Sequence, residues 1–168
     1  MFQTGTCFFH FLKALRKHLG DCNILALLAT NSRFASFVHL VYSLPYVPTS
    51  HVVEVYEDVI LKSLDSLKKS RHPDIIANVS NIDKWVVYLE HTWIGKRKEN
   101  SEPAAGEEDG RTSGLYPLQK WNQHEAALHM WPRTNNSSEG NLFFVSKKVY
   151  FFYIDLHRIR YTIFLMLS

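Results

Sequence analysis

Cysteine is nearly absent from the sequence, with two in 168 residues, Cys7 and Cys22. Two thiols build no disulfide framework, and their scarcity fits a reducing compartment or carries no redox information. Long apolar runs are missing too, so no stretch reaches the roughly 18 residues that a membrane span needs. The tail 141–168 comes nearest, and Lys147, Lys148, Asp155, Arg158 and Arg160 interrupt it. Charge of one sign is also scarce. Lys and Arg number 19 against 16 Asp and Glu, a net +3, which by itself does not indicate nucleic acid. There is no phosphate-binding glycine loop, no Ser-His-Asp pattern and no internal repeat of about 20–50 residues. What remains is 46% hydrophobic and 21% charged, ordinary for one globular domain at this length.

The first twenty residues, MFQTGTCFFHFLKALRKHLG, hold no acid. Their basic residues Lys13, Arg16 and Lys17 follow the Phe cluster, the reverse of a secretory signal. A basic amphipathic composition fits a mitochondrial presequence better, but the stretch lacks Ser. The sequons at Asn78, Asn135 and Asn136 carry meaning only with secretion.

Most of the chain reads as helix. Phe8, Leu12, Leu15 and Leu19 recur at helical spacing, with Gly20 as the stop. Over 31–44, Phe34, Phe37, Val38 and Val41 share a face, and the helix ends before Pro45. Residues 45–48, Pro-Tyr-Val-Pro, read as a rigid extended connector. A third helix, with Thr49 or Ser50 as N-cap, turns Val53, Tyr56, Ile60, Leu64 and Leu67 inward. A fourth carries Ile75, Val79, Ile82, Val86, Leu89 and Trp93, ends at Gly95 and reads as a bundle-core helix. Residues 96–114 have almost nothing to bury and read as a solvated polar loop. After Pro117 a helix facing Leu118, Trp121 and Leu128 inward is expected, closed by Pro132. From Leu142 the character changes to Val, Tyr, Phe and Ile clusters with strand propensity.

Two constellations could carry chemistry. Cys7 and His10, with His18 and Cys22, sit at spacings that share helix faces, so four soft ligands could converge on zinc. The plainer reading makes Cys7 a small core residue and His10 a hydrogen-bonded one. In PRTNNSSEG, Asn135 or Asn136 is a good N-cap, with Glu139 three residues after Asn136 as in a capping box. Glu139 could also bind a divalent cation, although one carboxylate does not build a two-metal site. His124 and His129 are five apart and share no ligand face. Lys96-Arg97-Lys98 is offset by Glu99 and Glu102. The tryptophans Trp85, Trp93, Trp121 and Trp131 read as core.

In order, GTCFFHFLKALRK, SLPYVP, WVVYLEHTWIGKRK, LYPLQKWNQHEAAL and PRTNNSSEG resemble the C-terminal part of a Mutator-like element (MULE) transposase domain of the animal type. The family shows a Cys-x2-His segment, a Leu-Pro-x-x-Pro-like turn and an aromatic-rich helix ending in Ile-Gly. A charged loop, a Trp-Asn helix and a Thr-Asn-Asn-x-x-Glu-Gly turn follow. The resemblance covers roughly 5–140.

The resemblance implies the helical insertion of an RNase H-like fold that cuts and joins DNA with two Mg²⁺ or Mn²⁺ ions held by two Asp and one Glu. Glu139 would be the third acidic residue, Arg133 a phosphate contact, and Asn135 and Asn136 the residues that order the turn. In the family both aspartates precede the Cys-x2-His segment, and no Asp stands ahead of Cys7 here. Asp21, Asp58, Asp65, Asp74 and Asp83 all fall in or beside helices of the insertion. The expectation is therefore a mainly α fragment lacking most of the catalytic sheet, without catalysis from this chain alone. It would comprise 1–140 with the polar loop 96–114, then a β-prone or irregular tail 141–168. That tail departs from the family as a frameshift or intron read-through would. DNA is the implied partner, with a protein partner or oligomer possible, no membrane, and a nuclear location. The alternative is a helical DNA- or protein-binding module without catalysis. A further one is an unstable chain that exposes apolar patches.

Overall fold

The computed structural model describes residues 8–98 and 110–128, with side chains from His10 onward. Among these the protein is mainly helical and has no strand. The expected β-prone tail lies outside them.

Helix α1 (Phe8–Asp21) buries Phe11, Leu15 and Leu19 completely and turns Lys13, Arg16 and Lys17 to solvent. The inward face is centred on Phe11, not on the expected Leu12, which is half-buried. Several apolar residues in a row leave the phase of a helix open, and packing decides it. Gly20 does not end the helix. Asn23 does, at φ 57°. The Ile24 amide donates to the Leu19 carbonyl at 3.0 Å and the Asn23 amide to that of Gly20 at 2.9 Å. This is the paired-bond geometry of a Schellman stop, in which Asn tolerates the left-handed position.

After the single turn α2 (Leu27–Thr30), Asn31 ends that turn and caps α3 (Ser32–Tyr42). Its side chain accepts the Phe34 amide at 2.9 Å. The buried face of α3 is Phe34, Phe37, Val38 and Val41, as its spacing predicts. The Pro45–Pro48 segment is not extended throughout. Leu44–Tyr46 forms a buried 3-10 turn, and the chain extends at Val47 and Pro48. Proline's fixed φ suits the start of a helical turn as well as an extended strand.

Thr49 and Ser50 lie in a second 3-10 turn (Thr49–His51) and do not cap. The rod that follows is α4 (Val52–Val55), a π turn (Tyr56–Leu61) and α5 (Lys62–Lys69). It buries Val52, Tyr56, Ile60, Leu64 and Leu67, with Val53 half-buried. Four-residue steps drift off one face of an ideal helix, which has about 3.6 residues per turn. The wider π turn absorbs part of that drift.

His72 caps α6 (Pro73–Leu89), with Pro73 in its first turn. Ile75, Ile82, Trp85, Val86 and Leu89 are buried, while Val79 is only half-buried. Trp85 is fully buried, and its Nε1 donates to the Leu15 carbonyl at 3.1 Å, joining α6 to α1. A second π turn (Glu90–Ile94) continues α6 into a second rod and brings in Trp93, and Gly95 ends it at φ 110°. Lys68 pairs with Asp83 between α5 and α6. No described helix is long and apolar enough to cross a membrane.

Candidate functional site

The expected solvated loop 96–114 is anchored at its described ends. Lys98 donates to the Gly110 carbonyl and Thr112 to that of Lys96, both at 2.9 Å. Arg97 and Arg111 form an antiparallel bridge between these bonds. The Arg111 side chain is 5% exposed. Its Nε and Nη2 reach Glu57 Oε1 at 3.1 and 2.9 Å. Its Nη1 reaches Glu90 Oε1 at 2.7 Å and the Gly95 carbonyl at 2.6 Å.

Four hydrogen bonds thus engage a group with five N–H donors. Burial would lower the Arg111 pKa, but the bonds to Glu90 and Glu57 outweigh it and hold it above the ordinary value. The guanidinium also lies 5.4 Å from the centre of the Tyr56 ring. Burial pushes the Tyr56 hydroxyl well above the usual phenol range. Both carboxylates sit in the two π turns, at Glu57 and Glu90. Arg111 therefore ties the return of the loop to both rods.

Two glycines let the backbones meet. A Cβ on Gly95 would stand 1.8 Å from the Thr112 carbonyl oxygen, and one on Gly114 would stand 2.9 Å from the Trp93 carbonyl carbon. The chain then runs along the end of the second rod, with the Tyr116 amide donating to Thr92 at 3.0 Å. Tyr116 stacks on Trp93 at 4.8 Å. Phe11 meets Trp93 edge-on and stacks on Trp121, each at 4.9 Å. Trp121 is fully buried, and its Nε1 donates to the Tyr116 carbonyl at 3.2 Å.

Residues 118–128 do not form one helix. Two short ones, α7 (Leu118–Trp121) and α8 (His124–Leu128), flank Asn122 and Gln123. Asn122 Nδ2 donates to the Val47 carbonyl at 2.7 Å, and its Oδ1 accepts the His124 amide at 2.9 Å. The Gln123 amide donates to the Pro45 carbonyl at 2.7 Å. His124 Nδ1 lies 2.9 Å from the Tyr46 carbonyl. A carbonyl can only accept, so Nδ1 carries the hydrogen. The break in the helix exists to satisfy three successive carbonyls of the proline turn. Leu128, expected inside, is 47% exposed, because α8 is directed by these polar bonds and not by a continuous apolar stripe.

Four segments that are far apart in sequence therefore share one junction: α1 through Phe11, the proline turn through its carbonyls, the end of the second rod through Trp93, and 115–124 through Trp121 and Asn122. Trp85, Trp93 and Trp121 are core, as expected; Trp131 lies outside the described residues.

So do Cys7, Arg133, Asn135, Asn136 and Glu139. His10 is exposed near the start of α1. His18 stacks on Tyr88 at 3.9 Å and lies 3.8 Å from Asp21, and burial lowers its pKa. Cys22 is buried, which raises its thiol pKa. Among the described residues no group of three or more His, Cys, Asp or Glu could hold a metal. Asn78 Nδ2 donates to the Asp74 carbonyl within α6, so that sequon is part of a helix.

The aspartates behave as helix-surface residues. Asp21 pairs with Lys17, Asp58 with Lys62 and Asp65 with Lys69. Arg111, Glu57, Glu90 and Asn122 are residues that the sequence reading did not single out. Gly95, just ahead of the loop, and Gly114, its last residue, are the available signal that its ends meet.

No protein-family model, no curated protein and no solved structure matches this chain.

Proposed function

We propose that the chain is a helical part of a DDE transposase domain of the Mutator-like type, which holds DNA and does not cut it alone. The observation that supports this reading is the junction. GTCFFHFLKALRK, SLPYVP, WVVYLEHTWIGKRK and LYPLQKWNQHEAAL carry the resemblance, and all four meet around Phe11, Trp93, Trp121 and Asn122. These segments supply Phe11, Trp93 and Trp121 of the buried core.

In this reading Glu139 contributes one carboxylate toward Mg²⁺ or Mn²⁺, Arg133 contacts phosphate, and Asn135 and Asn136 order the turn between them. Paired divalent cations supply the activated water or 3′-hydroxyl in such domains. A single carboxylate does not assemble that pair, so binding and not cleavage is the property assigned to this chain, in the nucleus.

A second reading makes the chain a protein-binding module. It is supported by Leu115 at 73% exposed beside Tyr116 at 40%, an apolar surface of the kind that partners cover.

Mn²⁺ titration of the full chain tests the metal assignment. Weak binding that is lost in Glu139→Ala supports the transposase reading. Equal binding by both proteins removes Glu139 from it.

A further inference from the structure

Asn31 and His72 lie forty-one residues apart and meet at the N-termini of α3 and α6. Asn31 is 4% exposed, and its Oδ1 accepts the Phe34 amide at 2.9 Å. That bond fixes the orientation of the amide, since the flipped form would set an N–H donor against another. Nδ2 is therefore the atom that faces His72 Nδ1, at 3.2 Å. The Asp74 backbone amide points at the same nitrogen from 3.3 Å. With two donors aimed at it, Nδ1 holds a lone pair, and the neutral ring carries its hydrogen on Nε2.

One acceptor stands ready on the other side. Asp74 Oδ2 lies 3.6 Å from Nδ1, and among the described residues no other carboxylate comes within 4.0 Å of the ring nitrogens. The α3 side presents the uncharged Asn31 amide, with Arg33 exposed two residues on. On the α5 side Lys68 and Lys69 are engaged by Asp83 and Asp65. Arg71, the preceding residue, is exposed at φ 52°.

We propose that His72 is a proton-operated clasp between α3 and α6. In the neutral state Nδ1 accepts from Asn31 and links the two helix starts. When Nδ1 takes a proton from solvent it becomes a donor, turns to the Asp74 carboxylate and releases Asn31. The bond between the helices is exchanged for an ion pair within α6. Asn31 ends α2 and caps α3, so the exchange acts on the α2–α3 corner.

Two-bond proton–nitrogen NMR of the full chain tests this. The expected result near pH 8 is the Nε2–H tautomer of His72. As acid is added, the Asn31 side-chain amide signals should move together with those of the His72 ring. His72→Asn, which keeps a cap but does not titrate, should leave the Asn31 signals constant over the same titration. An Nδ1–H tautomer at high pH, or Asn31 signals that ignore the His72 midpoint, overturns the proposal. So do Asn31 signals that still move in folded His72→Asn. If that variant does not fold, the titration of the unaltered protein decides the matter alone.

Discussion

Arg111 donates from both Nε and Nη2 to one oxygen of Glu57, although fifty-four residues separate them. The same guanidinium holds Glu90, and so the end of a polar loop becomes the tie between the two rods. A buried charge with both partners in place is tolerated, but removing one member leaves uncompensated charge behind.

Arg111→Met is expected to destabilise the protein by about 3 kcal/mol, the low end of the range for a broken buried pair, because Glu57 is partly solvated. Arg111→Lys should recover little of this. A lysine ammonium lacks the planar fork that reaches Glu57, Glu90 and the Gly95 carbonyl together. Chemical denaturation of the three proteins measures both values.

The glycines should separate into two groups. Gly95→Ala and Gly114→Ala force a Cβ into backbone at 1.8 and 2.9 Å and should lower the melting temperature clearly. Gly20 lies inside α1 with nothing within 4 Å of its would-be Cβ. Gly20→Ala should stabilise by roughly 0.5–1 kcal/mol through helix propensity. Thermal melts of the three variants check the contrast.

Asn122→Ala removes the bond to the Val47 carbonyl and the one to the His124 amide, and should cost about 1–3 kcal/mol. Amide exchange at Gln123, whose N–H is held by Pro45, should accelerate in the variant. Leu128→Ala should stay within about 0.5 kcal/mol of the parent, as an exposed position does.

His18 gives a pH dependence with a defined sign. Burial lowers its folded pKa from 6.5, so the folded state prefers the neutral ring. That preference contributes stability fully above pH 6.5, and the contribution declines as the pH falls through the depressed folded value. His18→Phe keeps a ring against Tyr88 and does not titrate. It should flatten the stability profile below pH 6.5, as denaturation across a pH series would report.

The legible part of the fold was periodic. Phe34, Phe37, Val38 and Val41 announce α3 because their spacing admits one face only, and Gly95 announces the end of the second rod. In α1 the aromatic and leucine residues occupy adjacent phases, so Phe11 could not be told from Leu12. Val52 displaced Val53 for the same reason, where a π turn alters the count per turn. Arg111 gave no signal, since one arginine among polar residues has no period, and its partners are set by tertiary structure. The same holds for Asn122, whose role depends on carbonyls that a proline turn exposes. The residues at which the resemblance places chemistry, Glu139 with Arg133, Asn135 and Asn136, lie outside the described region.

Contact between the protein and DNA phosphates is tested by titrating labelled duplex DNA with the full chain over a salt series. Binding should weaken steeply as salt rises, with a slope about one unit shallower in Arg133→Ala. Absence of binding at low salt, or an affinity indifferent to salt and to Arg133, would contradict it.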